Sequence, residues 1–129
     1  MSESPVNRRK LLSIIEMGGY PNFTPLYTAA GFDVVVKNSM RKAIVYLKKE
    51  RPEVIVAEFN FQSDFRDRTS SLESLMAVAQ RLPGTRVIVF YEREFRAQFE
   101  RLRARFPIYE SLPFPIQENR LKECLSSAG

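Results

Sequence analysis

The sequence predicts an α/β domain with one parallel sheet and helices on both of its faces. Short β-branched runs alternate with helix-period segments five times, and Gly, Pro or a capping residue separates them. Parallel strands need crossover connections, which helices supply. One run, Arg51-Pro52-Glu53-Val54-Ile55-Val56-Ala57-Glu58-Phe59-Asn60, is apolar enough for a strand buried on both faces. It ends on Glu58, which puts a carboxylate at the carboxyl edge of the sheet, where α/β proteins place their chemistry.

Each element follows from local pattern. Residues 1–9 read as a polar, flexible tail. Leu11-Leu12-Ser13-Ile14-Ile15-Glu16 reads as the first strand, and Gly18-Gly19 as a turn. Thr24 is placed to cap a short helix with Pro25 at its first position and Gly31 as its stop. Phe32 to Val36 is the second strand. Ser39 caps a helix over 40–50, with Met40, Ala43, Ile44 and Leu47 on one stripe. Pro52 stops it, and Val54 to Glu58 is the third strand. A helix opening at Ser70 or Ser71 presents Leu72, Leu75, Met76, Ala79 and Leu82, and Pro83-Gly84 closes it. Val87 to Tyr91 is the fourth strand. Residues 93–106 give the cleanest amphipathic helix, with Phe95, Phe99, Leu102 and Phe106 inward and arginines around them. Ile108 to Leu112 is the last strand, and 117–126 the closing helix with Leu121 and Leu125 inward.

Composition narrows the chemistry. A chain of 129 residues is one domain with room for a core. No apolar run reaches the ~20 residues of a membrane helix, and the first residues lack the apolar segment of a signal peptide. Cys124 is the single cysteine, which rules out an internal disulfide and points to a reducing compartment, the cytoplasm. There is no histidine, so His-based acid–base work, Ser-His and Cys-His pairs and His-ligated metals are excluded. The net charge of +5 permits an acidic or nucleic-acid partner without specifying one.

At this point the residues resemble the receiver domains of two-component response regulators, the CheY-like superfamily. The likeness runs from Leu11 to about Leu125. It is strongest in Ala30-Gly31-Phe32-Asp33-Val34-Val35, in Arg41-Lys42-Ala43-Ile44-Val45-Tyr46-Leu47, and in Pro52 to Glu58; Pro113-Phe114 matches the family's Pro-Phe pair. The resemblance implies a three-layer, doubly wound, flavodoxin-like fold for residues 10–129, with a five-stranded sheet in order 2-1-3-4-5.

The resemblance also implies a phosphorylation pocket, and this sequence departs from it. The family binds Mg²⁺ with an acidic pair after the first strand; here the pair reads Glu16 and Met17. Its phosphoacceptor Asp is Glu58, followed by Asn60. Its Ser or Thr after the fourth strand is Tyr91, and its Lys in the last strand is Leu112. The switch aromatic is kept as Tyr109. A thioether suits Mg²⁺ poorly, and phosphoryl transfer needs charge stabilisation that Leu112 cannot give. No cofactor is therefore expected, Mg²⁺ included, and no enzymatic activity. Glu58 is an inert relic, a mimic of the phosphorylated state, or a ligand for something else. Glu16 and Glu58 are expected to face each other without a cation, with the Tyr91 hydroxyl as donor to one of them.

The expected function is an atypical receiver that signals by phosphorylation-independent protein contact. Its partner would be a sensor kinase, an output protein or a second copy. The face implied is the fourth helix, last strand and last helix, with Arg93, Arg96, Arg101, Arg103 and Arg105. Two alternatives stand beside it: a working phosphoacceptor at Glu58, and a nucleic-acid binder using the basic helix. Phe59, Phe61 and Phe65 read as a lid over the pocket or as an exposed patch.

Overall fold

A computed structural model describes residues 9–16, 20–59 and 71–128. Five parallel strands, β1 (Arg9–Ile14), β2 (Phe32–Lys37), β3 (Val54–Glu58), β4 (Arg86–Tyr91) and β5 (Glu110–Pro113), form one sheet in the order β2-β1-β3-β4-β5. Between and after them run α1 (Thr24–Ala29), α2 (Met40–Leu47), α3 (Ser71–Ala79), α4 (Arg96–Arg103) and α5 (Glu118–Ala128). This is the doubly wound flavodoxin-like topology. No helix among the described residues is long and apolar enough to cross a membrane.

Alternation along the strands divides the core in two. Leu12, Ile55, Ala57, Val87, Val89 and Tyr91 face α2, α3 and α4, against Met40, Leu47, Leu75, Met76, Phe99 and Leu102. Leu11, Val54, Val56, Ile88, Phe90 and Leu112 face α1 and α5, against Phe23, Tyr27, Leu121 and Leu125. β3 is central and buried at all five positions.

Element ends depart from the sequence expectation where hydrogen bonding decides them. β1 begins at Arg9, opposite Phe32, and its last ladder contact is Ile15 N–H to the Lys37 carbonyl at 2.9 Å, which leaves Glu16 outside the strand. Thr24 lies within α1 instead of capping it; the Asn22 side-chain oxygen accepts from the Thr24 N–H at 3.0 Å. Gly31 has φ +97, the left-handed stop expected after this helix. Ser39 caps α2 as expected, its Oγ accepting from the Lys42 N–H at 3.1 Å. The helix expected over 93–106 is a 3₁₀ turn, Arg93–Phe95, followed by α4. α4 ends at Arg103 with Ala104 as its C-cap, and Pro107 disfavours helical backbone at Phe106, where the helix is expected to end. β5 starts two residues late, since the Ile108 N–H turns back to the Phe106 carbonyl at 3.0 Å. Pro113 is tolerated in β5 because that strand lies at the sheet edge.

Two substitutions check this account by urea unfolding. Ser39→Ala loses a cap and costs about 1 kcal/mol. Phe99→Ala opens the larger cluster and costs about 3–5 kcal/mol. Equal, small losses for both would contradict the described packing.

Candidate functional site

The carboxyl edge of the sheet gathers part of the expected pocket. Glu58 pairs in register with Phe90, and Phe90 with Leu112, so the three share the α1/α5 face. Glu58 is only 4% exposed. Around it lies a cavity of about 20 Å³, walled by Ser13, Tyr20, Phe23, Tyr27 and Phe90, with no Lys or Arg among the described residues of its lining. A space of that size holds roughly one water.

The aromatic wall comes from α1 and the turn before it. Tyr20, Phe23 and Tyr27 stand at i, i+3 and i+7. The Phe23 ring meets Phe90 edge-on at 5.9 Å, and Tyr20 lies 5.4 Å from Phe90 and 5.6 Å from Phe114. Burial, then the Glu58 carboxylate, pushes the Tyr27 phenol well above its ordinary range. Tyr20 is raised too, by burial first and then by Glu92 and Glu58. The Tyr20 hydroxyl is buried and has no hydrogen-bond partner among the described residues. Sequence reading missed all three aromatics; their shared spacing was the available signal.

Tyr91 is not part of this pocket, which corrects the expectation that its hydroxyl serves the carboxylates. It follows Phe90 by one residue and so points to the opposite face. There its ring stacks on Phe99 at 4.7 Å and 10°, and its hydroxyl accepts from Arg96 Nη2 at 3.1 Å. Glu16 is half-buried and does not line the cavity around Glu58. Met17, Asn60, Phe61 and Phe65 lie outside the described residues. Phe59 is core, 4% exposed and edge-on to Phe99 at 5.4 Å. Among the described residues no three acidic or Cys side chains gather closely enough to hold a metal ion.

Tyr109 is half-buried against the α1/α5 cluster, with the Arg86 guanidinium 4.9 Å from its ring centre. Of the five arginines around α4, three are engaged within the chain. Arg96 binds Tyr91, Arg103 lies 3.4 Å from Glu100, and Arg105 reaches Glu73 on α3 at 3.2 Å. The guanidinium groups of Arg93 and Arg101 are exposed and have no such partner among the described residues.

No family model matches this sequence, and no curated protein matches it. Solved structures do. A response regulator receiver domain protein from Clostridium thermocellum superposes with a TM-score of 0.74 at 16% identity, covering 93% of each chain. The chemotaxis protein CheY4 of Vibrio cholerae gives 0.72 at 17% identity, over 95% of this chain and 99% of that one. A response regulator receiver protein from Sinorhizobium medicae WSM419 gives 0.70 at 19%, over 95% of each. At these identities the likeness is one of fold: this chain has the receiver fold over nearly its whole length.

The raised tyrosines set an alkaline dependence. In the unfolded chain a tyrosine ionises near ~10, whereas Tyr20 and Tyr27 stay protonated to higher pH when folded. Their contribution is present below ~10 and is lost as pH rises past it. In unfolding titrations above that pH, the Tyr20→Phe/Tyr27→Phe variant therefore loses stability less steeply than the parent chain. Parallel slopes would mean that the two phenols are not held protonated.

Proposed function

We propose that this chain is an atypical receiver domain that signals through protein contact without being phosphorylated. The observation that carries the reading is the setting of Glu58. A cavity of about 20 Å³ walled by aromatic rings lacks room for a phosphoryl group, and the β5 residue beside Phe90 at this edge is the apolar Leu112. Phosphoryl transfer works by positioning and by neutralising charge on the transferred group; Leu112 neutralises none. Mg²⁺ has no place in the reading either, since it wants several oxygen ligands. Glu16 lies outside the cavity, and its neighbour Met17 offers sulfur.

Two more features support contact over chemistry. Tyr91 stands where the family has a small hydroxyl residue, and its stacking on Phe99 ties it into the core. Arg93 and Arg101 remain exposed around α4, and the face made by α4, β5 and α5 is the surface we assign to a sensor, an output protein or a second copy. The reading places the protein in the cytoplasm, where a lone thiol such as Cys124 stays reduced.

Incubation with acetyl phosphate and Mg²⁺, followed by intact mass and amide spectra, tests this. The expected result is an unmodified mass and unchanged spectra. A gain of one phosphoryl group located at Glu58 would replace this reading with a working phosphoacceptor.

A further inference from the structure

The basic character of this protein is concentrated away from α4. A groove of about 670 Å³ lies between α2 and the edge of the sheet formed by β2 and β1. Five cations line it, Lys10, Lys37, Arg41, Lys42 and Lys49, against the single carboxylate of Glu50. That balance of +4 accounts for nearly all of the chain's net +5. Lys10 is paired with Glu50 at 2.9 Å, and Lys37 lies 5.6 Å from the centre of the Tyr46 ring. Arg41, Lys42 and Lys49 are exposed, and their side chains have no counter-ion among the described residues.

Between the cations the groove is apolar. Val35 and Tyr46 form its floor, and Val45, 50% exposed, stands at its side. Val45 is one of three large apolar side chains exposed among the described residues. Uncompensated cations around exposed apolar groups match a ligand that carries both carboxylates and apolar side chains. A phosphodiester backbone would meet the cations but leave Val45 and the floor without a complement. A second copy of this chain docking by the same face would bring its own excess of positive charge.

We propose that the groove between α2 and the β2 edge binds an acidic segment of a partner protein, one in which Asp or Glu alternates with Leu or Phe. Arg41, Lys42 and Lys49 meet its carboxylates, and Val45 with Tyr46 takes its apolar side chains. The site is separate from the Glu58 cavity, so it stands whether or not Glu58 accepts a phosphoryl group.

The test uses the whole chain, isotope-labelled, and three fluorescent probes of equal charge: an alternating Glu/Leu peptide, oligoglutamate, and a single-stranded DNA oligonucleotide. The Glu/Leu peptide should bind tightest, with amide shifts confined to 35–50, and raised salt should weaken it. Reversal of Arg41, Lys42 and Lys49 to Glu should weaken it on the order of tenfold or more; the α4 control, Arg93→Glu/Arg101→Glu, should leave it unchanged. Val45→Ser should weaken the Glu/Leu peptide but not oligoglutamate, and it keeps the test independent of the charge-reversed variant's folding. Absence of binding, shifts centred on α4, equal affinity for oligoglutamate, or tighter binding of DNA would each overturn the proposal.

Discussion

Every residue of β3 is buried, and the rest of the domain is arranged to keep it so. Val54 and Val56 need the α1/α5 layer, while Ile55 and Ala57 need the α2/α3/α4 layer. Burial of one such side chain stabilises by roughly 1.5–3 kcal/mol, so neither layer is dispensable. The flanking strands also satisfy its backbone, β1 through Leu11–Ser13 and β4 along the whole of β3. The same burial is imposed on the final residue. Glu58 cannot reach solvent without breaking the register that holds Val54 to Ala57 inside.

Alternation then decides what Glu58 can influence. Its face continues through Phe90 to Leu112, and the opposite face runs through Tyr91 to Phe99 and α4. A change at Glu58 would have to cross the sheet to reach the arginine helix. A ligand biases a conformational equilibrium only by interacting differently with its two states. Leu112 and Phe90 offer packing, which responds weakly to charge, and the described groups that feel the carboxylate are the Tyr20 and Tyr27 phenols. Tyr91 is packed by Phe99 and Arg96, and Tyr109 by Arg86, so both rings are engaged away from Glu58.

Most of the fold was legible because periodicity of 2 and 3.6 residues is local. β3 has the bounds read from sequence, and the Ser39 cap holds. Strand ends were less legible, since ladder partners set them: β1 stops where β2 stops, 23 residues along the chain by the Ile14–Lys37 pairing. In the candidate site, linear position correctly put Glu58 and Leu112 at the sheet edge. It could not say that Tyr91 turns away, because that depends on which β4 residue faces Glu58. The aromatic wall from Tyr20 to Tyr27 was not legible because Pro21 and Pro25 interrupt the segment, so its rings fall into no long periodic pattern.

Charge was the least legible property. Counting arginines picks out α4, yet the segment also carries Glu92, Glu94 and Glu100, and Arg105 meets a carboxylate 32 positions away. The α2 groove draws its cations from β1, β2 and α2, so no stretch of sequence displays it. Its location also has a structural logic. β2 is an edge strand, and Val36 on it is 48% exposed, which together invite pairing with another chain. Lysines beside such an edge discourage that pairing. The same lysines cannot discourage a partner of opposite charge, so the feature that keeps this edge from joining its own kind selects an acidic ligand.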